Sequence, residues 1–383
     1  MAKPVGARCN LACSYCYYLE KGGMYGDGGP GMMTDDLLEL FIKQYMACQT
    51  QREVLFTWHG GETLLRPLSF YRRVVALQRK HAGGHLVDNC IQTNGTLLTE
   101  EWCRFLKDNN WLVGVSLDGP QWMHDRHRRD NRGEGTFQKV MRGVELLDRH
   151  GVEWNAMAVV NSHNAEHPRE FYRFFRDIGC RFIQFTPVVE RAGAPLSPPL
   201  HALPSDGAVA VTAETVAPRQ WGEFLCTVFD EWVVRDVGEI FVQIFDATLA
   251  NWVGVEPGVC SMAAFCGNAL AMEHNGDVSL ATISSSRNTV WETSSTNHLR
   301  RWHTASGRMG SVASSSSCRS SAGGVVLSLP AMASARKTAS CGLPTGRRGS
   351  IISARAIVVS SSMPPPIWTS WRGSGARMVR RRG

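Results

Sequence analysis

Short apolar runs alternate with segments of helical periodicity along the first half of the chain. The runs are rich in β-branched and aromatic residues and predict strands over residues 53–58, 86–92, 111–117, 153–160 and 181–185. Helical patterns fall between and after them, over residues 70–81, 99–109, 136–150 and 167–178. Strands that alternate with helices pair in parallel through right-handed crossovers. The pattern therefore predicts an α/β fold, a partial (β/α) barrel whose functional residues lie where strands end.

Further elements are predicted on either side of this alternation. Thr34, followed by Asp35 and Asp36, offers helix-capping chemistry ahead of an apolar stripe that begins at Leu37. Residues 192–218 are rich in proline and alanine without periodicity, which predicts a surface loop. Two helices are then predicted, over 220–234 and 240–252. After Val278 neither helical nor strand periodicity continues.

The net charge of +7 is the sum of two unlike parts. From Ser279 onward there are fifteen Lys and Arg against a single acidic residue, Glu292, whereas the first 278 residues carry 26 basic and 33 acidic groups. No run of eighteen apolar residues and no cleavable signal is evident, so a cytoplasmic protein without a membrane partner is expected. Twelve cysteines in such a chain point to metal binding or reduced thiols rather than disulfides.

Three of these cysteines form a compact group in the stretch CNLACSYCYY. Cys9, Cys13 and Cys16 lie four and three positions apart and can hold three irons of a 4Fe-4S cubane. The fourth iron would then be open to a ligand that is not protein. A zinc site that lacks its fourth ligand and a chance group of buried thiols are the alternatives.

The CxxxCxxC spacing with its aromatic residues resembles the signature of the radical S-adenosylmethionine superfamily. The longer run MAKPVGARCNLACSYCYYLEK resembles the start of the anaerobic sulfatase-maturating enzymes, and the resemblance extends from Met1 to about Val278. It implies a partial (β/α)6 TIM-like barrel that binds S-adenosylmethionine at the open iron and cleaves it to a 5'-deoxyadenosyl radical. It also implies an oxidoreductase that converts a Cys or Ser of a sulfatase polypeptide to formylglycine under anaerobic conditions, with a flavodoxin- or ferredoxin-like electron donor.

Residues at predicted strand ends match the family's cofactor-binding positions. Gly60, Gly61 and Glu62 follow the first strand and resemble the family's GGE motif, which contacts the methionyl amino group. In the family a proline commonly follows this motif, whereas this chain has Thr63. The remaining cofactor contacts implied by the resemblance are Tyr15, Asn94, Ser116, Asp118, Arg128 and Val189. Ser116 and Arg128 would bind the ribose and the carboxylate, and Val189 the adenine. Without the resemblance, each would be a turn former or a solvated charge.

Cys260 and Cys266 by themselves make only a partial metal site. The resemblance implies that they donate two thiolates to an auxiliary cluster of a C-terminal SPASM domain. It thus predicts a radical S-adenosylmethionine barrel over 1–190, a loop and linking helices over 191–255, and the start of a SPASM domain over 256–278. The remaining SPASM ligands are absent from the sequence as written, so one 4Fe-4S cluster is expected here against up to three in the intact family.

The tail, residues 279–383, is serine- and arginine-rich and is expected to be disordered. When permissible codons for residues 280–293 are read one base earlier, the string PCDHFVEPEYRLGN can appear, and the same offset over 330–358 permits CHGECPKNRFMRTPDGEEGLNYLCAGYR. Both strings resemble the missing SPASM elements, which indicates a single-base slip near Ser279. The family's proton-accepting aspartate would straddle Ala281 and Thr282, so no catalytic residue is expected in frame.

Two alternatives differ from sulfatase maturation. Another SPASM peptide maturase, which forms thioether crosslinks, would use the same barrel and the same clusters. As written, the chain could instead be a non-catalytic protein whose basic tail binds nucleic acid through phosphate contacts. The family resemblance argues against nucleic acid as a partner.

Overall fold

The fold was established from a computed structural model of the 383-residue chain. The structure describes residues 1–18, 31–190, 192, 211–263 and 270–279. The predicted disorder of the tail beyond Ser279 lies outside these residues, as does Cys266.

Six parallel strands form one sheet in which spatial order follows sequence order, β1 to β6. They are Glu53–Trp58, Leu86–Thr93, Leu112–Ser116, Trp154–Val160, Phe182–Pro187 and Phe241–Val242. Because all six run in the same direction, their carboxyl ends meet at one edge. A separate antiparallel hairpin pairs β7, Ala271–Met272, with β8, Val278–Ser279.

Eight α-helices connect or flank these strands in the described part of the chain. They are α1 Asp35–Cys48, α2 Leu68–His81, α3 Glu100–Asp108, α4 Gln121–His127, α5 Phe137–Arg149, α6 Pro168–Asp177, α7 Pro218–Arg235 and α8 Gln243–Trp252. Thr34 caps α1 as expected, since its side chain accepts a hydrogen bond from the Leu37 backbone N–H. None of the helices in the described residues combines the length and apolar character that a membrane span requires.

The predicted α/β class and five of the predicted strands are confirmed. The helix predicted over 240–252 is confirmed from Gln243 onward, but its first residues were predicted wrongly, because residues 241–242 form β6. Two residues are too few to show a period of two, so only pairing with β5 identifies them as a strand. Their place is fixed by the ring of Phe241, which stacks on that of Phe182 with centroids 5.0 Å apart. The short helix α4 had no sequence prediction.

An aromatic cluster supports the sheet where β1 meets α2 and the start of β3. Trp58 stacks on Trp111 with ring centroids 6.4 Å apart, and Tyr71 meets both indoles edge-on. All three side chains are buried. The cluster holds the first three strands in register below the edge that carries the polar residues.

The first residues of the chain join the main sheet to the hairpin. Ala2 forms parallel bridges with both Trp58 of β1 and Met272 of β7. The buried Lys3 ammonium forms an ion pair with Glu273 just beyond β7. A buried charge is tolerated when it is paired, so this ion pair fixes the start of the segment that leads into the cysteine group.

Candidate functional site

The three cysteines of the predicted cluster lie on one loop of residues 9–16 and are all free thiols. A turn brings the Cys16 backbone N–H to the Cys13 carbonyl at 3.0 Å. Donors face the Cys9 sulfur, which accepts from the Leu11 backbone N–H at 3.4 Å and lies 3.8 Å from Asn94 Nδ2. Donors directed at sulfur favour a thiolate and tune a bound cluster.

Burial raises the pKa of the Cys9 thiol to about 12, and the pKa of Cys13 is also raised by burial. The neighbouring thiols raise the pKa of Cys9 further, because like charges would lie close together. These thiols therefore need a bound metal to be deprotonated near neutral pH. Within the residues that the structure describes, no three His, Cys, Asp or Glu side chains are placed to share one metal ion. A cubane instead binds each thiolate to a different iron, and three buried or half-buried thiols with donors at the Cys9 sulfur fit such a group.

The cysteine loop docks on the segment that follows α4. Leu11 bridges Asp130, the Ala12 backbone N–H donates to the Arg129 carbonyl at 2.8 Å, and the Ser14 backbone N–H donates to the His127 carbonyl. The loop and the segment that carries Arg128 consequently lie side by side.

The two glycines after β1 approach the beginning of the cysteine loop closely. The Gly61 backbone N–H donates to the Gly6 carbonyl at 2.8 Å, and the Glu62 backbone N–H donates to the Arg8 carbonyl at 2.7 Å. A Cβ on Gly61 would overlap the Arg8 carbonyl oxygen, and Gly60 has a φ of +131°, which favours glycine. The close backbone approach expected of these glycines is thus made to the chain itself.

Glu62 is a buried carboxylate that gathers three donors. It accepts hydrogen bonds from the backbone N–H groups of Leu64 and Asn94 and from Thr93 Oγ1, at 2.7 to 2.9 Å. Burial raises the pKa of Glu62 to about 7. The three donors lower this pKa, but their effect is smaller than that of burial. Thr63, where proline is common in the family, donates its hydroxyl to the Gln92 carbonyl at 2.6 Å. Glu62 therefore joins the β1 and β2 ends; its contact with a methionyl amino group stays a prediction.

At the end of β3 a buried ion pair brings three predicted residues together. Arg128 binds Asp118 through Nε and Nη2 at 2.9 and 3.1 Å, and the Tyr15 hydroxyl donates to the same carboxylate. Burial opposes the charge of Asp118, but the Arg128 guanidinium prevails and lowers the pKa of Asp118 below its usual value. The neighbouring Ser116 hydroxyl accepts from Gln92 Nε2 at 3.0 Å. The resemblance assigns all these side chains except Gln92 to the cofactor.

Asn94 links the end of β2 to the cysteine loop. Its Nδ2 donates to Asn10 Oδ1 at 2.8 Å, and Asn10 in turn donates to Thr96 Oγ1 at 2.9 Å. Sequence reasoning missed Asn10 and Gln92. Asn10 could have been found because it stands inside the cysteine motif, whereas Gln92 carries no signal beyond its place near a strand end.

Val189 and the cysteine pair Cys260 and Cys266 are the remaining predicted site residues. Val189 follows β5 and is 42% exposed, so it is open to a ligand at the same sheet edge. Cys260 is exposed, and its predicted partner Cys266 falls outside the described residues. The structure brings the other predicted residues together around the cysteine loop.

Comparison with known proteins gives a consistent picture. Residues 4–175 match the model of the radical SAM superfamily. A serine-type anaerobic sulfatase-maturating enzyme of Bacteroides thetaiotaomicron is 59% identical over 279 residues, which are 73% of this chain and 67% of that protein. A cysteine-type enzyme of Clostridium novyi is 34% identical over 281 residues, covering 73% and 71%. The chain thus spans about two thirds of the length of these relatives.

Solved structures match the same region. Native anSMEcpe with bound AdoMet and Cp18Cys peptide superposes with a TM-score of 0.67 at 29% identity, covering 76% of each chain. Streptococcus suis SuiB bound to its precursor peptide SuiA matches with a TM-score of 0.54 at 12% identity, covering 79% of this chain and 64% of SuiB. The second match shows the fold alone.

Proposed function

The chain belongs to the anaerobic sulfatase-maturating enzymes of the radical S-adenosylmethionine superfamily, and we propose that it oxidises a Cys or Ser side chain of a sulfatase polypeptide to formylglycine. One observation carries the proposal: a loop with three buried or half-buried thiols is joined through its own Tyr15 to the ion pair that Asp118, after β3, makes with Arg128, after α4. The resemblance assigns a cluster to the first group and the organic cofactor to the second.

Cys9, Cys13 and Cys16 would hold a 4Fe-4S cluster, which with S-adenosylmethionine supplies the one-electron chemistry needed to remove a hydrogen atom from the substrate Cβ. The protein residues prepare the site for this chemistry. Asp118 holds the Arg128 guanidinium in a fixed orientation, because both Nε and Nη2 are bound to it. Glu62 fixes the turn after β1 against Asn94, whose amide lies at the Cys9 sulfur.

We favour a serine-type substrate. The serine-type relative from Bacteroides is 59% identical, compared with 34% for the cysteine-type enzyme of Clostridium novyi. A flavodoxin- or ferredoxin-like protein is proposed as the electron donor. In an intact chain the proton would be taken by the aspartate encoded across Ala281 and Thr282, with two auxiliary clusters beside it.

The proposal is tested by anaerobic reconstitution of the full chain with iron and sulfide. A sulfatase-derived peptide is then supplied with Ser or with Cys at the target position, together with S-adenosylmethionine and a strong reductant. Mass spectrometry should detect 5'-deoxyadenosine with the chain as written, and a peptide aldehyde as well once the reading frame after Ser279 is restored, with the Ser peptide preferred. Cys13→Ser provides the control and should form neither product. Failure of the reconstituted parent chain to bind iron or to cleave the cofactor would refute the assignment.

A further inference from the structure

His127, at the end of α4, contacts two segments of the site. Only 4% of its surface is exposed. Its Nδ1 lies 2.8 Å from Ser14 Oγ, and its Nε2 lies 3.2 Å from Glu214 Oε2 but out of line for an N–H hydrogen bond. The ring also packs against Tyr15, with ring centroids 5.5 Å apart.

These contacts define the chemical state of the ring. A carboxylate beside Nε2 favours a proton on that nitrogen, so Nδ1 is the acceptor and the Ser14 hydroxyl donates to it. Ser14 stands between Cys13 and Cys16, and its backbone N–H already donates to the His127 carbonyl. His127 therefore holds the middle of the cysteine loop by both its main chain and its side chain.

The segment that carries Glu214 holds the exit of β5. The Thr212 backbone N–H donates to the Glu190 carbonyl at 2.9 Å, and the Val216 backbone N–H donates to the Val188 carbonyl at 3.0 Å. These bonds flank Val189, the residue predicted to contact adenine. Backbone hydrogen bonds on both sides of Glu214 therefore join residues 211–217 to the exit of β5.

We propose that His127 is a positioning residue that joins the cysteine loop to the β5 exit through Ser14 and Glu214, so that the thiols and the adenine-facing segment take their places together. This inference rests on the proposed function for the identity of the two ligands, but the linkage itself is a property of the chain. A serine, a histidine and a carboxylate can also form an activated nucleophile. We assign a positioning role because the serine lies between two thiols that would hold a cluster.

The linkage is tested first in the cofactor-free full chain by hydrogen exchange. Glu214 makes no contact with the cysteine loop among the bonds described, yet Glu214→Ala should speed exchange of the Ser14 and Cys16 amides about fivefold. Glu214→Gln, which keeps a polar oxygen beside Nε2, should restore most of the protection. Glu223→Ala, which removes a surface carboxylate paired with Arg219 on α7, is the matched control and should leave these amides unchanged. Unchanged exchange in Glu214→Ala overturns the proposal.

A double-mutant cycle then tests the coupling in the reconstituted chain. Ser14→Ala and Glu214→Ala should each weaken S-adenosylmethionine binding about fivefold. Because both act through one ring, the double variant should also be about fivefold weaker, rather than showing the product of the two effects. Fully multiplicative effects would mean that the two contacts are independent. A parent chain that binds no cofactor refutes the proposed function, while the exchange experiment still decides the linkage.

Discussion

At the scale of single residues, Gly61 sets how closely the turn after β1 can approach the cysteine loop. Gly61→Ala would place a methyl group into the Arg8 carbonyl, one residue before Cys9. Because backbone rather than a flexible side chain occupies that space, the turn must separate from the loop. We expect a loss of about 3 kcal/mol or more in the free energy of unfolding, measured by denaturant titration, and a reduced iron content after reconstitution.

Gly84 provides the comparison for this substitution. It has a φ of +93° and open space around it, so Gly84→Ala meets backbone strain without overlap. A cost of about 1 kcal/mol and a normal iron content are expected. If Gly61→Ala were as mild as Gly84→Ala, close approach at Gly61 would not be needed to form the site.

His124 makes the stability of the folded chain depend on pH, and the direction of this dependence follows from its lowered pKa. Burial, aided by the Arg128 guanidinium, lowers the pKa of His124 to about 4 from the ordinary 6.5. Its ring accepts from the Asp118 backbone N–H and bonds Thr136 Oγ1. Between those two pKa values the folded chain binds fewer protons than the unfolded chain, so stability is lost as the pH falls. The contribution amounts to about 2 kcal/mol between pH 7 and pH 5.

Chemical denaturation at several pH values measures this contribution as a difference between variants. His124→Asn keeps an acceptor near Asp118 but cannot be protonated, so its free energy of unfolding should fall less steeply than that of the parent chain. His167→Asn, a change at an exposed position, is the control, and its curve should run parallel to that of the parent chain. Parallel curves for the parent and His124→Asn would contradict the prediction.

At the scale of elements, two stacked tryptophans beneath the site differ in whether the indole N–H has a hydrogen-bond acceptor. Trp58 of β1 donates its indole N–H to Asn89 Oδ1 of β2 at 2.9 Å. The indole N–H of Trp111 is buried without a partner among the described residues. Trp58→Phe loses a bond between strands, whereas Trp111→Phe removes an unsatisfied donor. Thermal or denaturant unfolding should therefore find Trp58→Phe less stable than Trp111→Phe by about 2 kcal/mol. Equal losses would show that ring volume alone matters.

The elements also show what sequence could and could not predict. Five strands were predictable because their apolar runs are five to eight residues long and end at or close to Gly, Asn, Asp or Pro. The two residues of β6 were not, because their strand character depends on pairing with β5. Cys9, Asp118 and Arg128 were identified by motif, but the ion pair that joins the last two depends on how α4 folds back on β3. Likewise, Glu214 lies far from every motif and reaches His127 only through tertiary packing.

At the scale of the whole molecule, the region that is similar to known relatives is about as long as the region with helical or strand periodicity. The match to the Bacteroides enzyme is 279 residues long, and the apolar periodicity of this chain stops at Val278. We propose that a slip of one base near Ser279 produced both limits and the basic composition that follows. We expect the nucleotide sequence, read one base earlier from that codon, to contain a stop-free frame that encodes the cysteines of the SPASM strings. A stop codon early in that frame would contradict the slip.

Iron content connects that reading frame to chemistry. The chain as written retains Cys9, Cys13 and Cys16 but lacks the further ligands of an auxiliary site, so anaerobic reconstitution should give about four irons per chain. A frame-restored chain should bind about twelve, because three cubanes then have their thiolates. The Cys13→Ser variant of each chain should lose about four irons, which identifies the cluster that the cysteine loop holds.

S-adenosylmethionine cleavage should require that loop cluster in both chains, whereas peptide oxidation should appear only in the restored one, since only it contains the proton-accepting aspartate. Efficient oxidation by the chain as written would show that a residue other than this aspartate takes the proton.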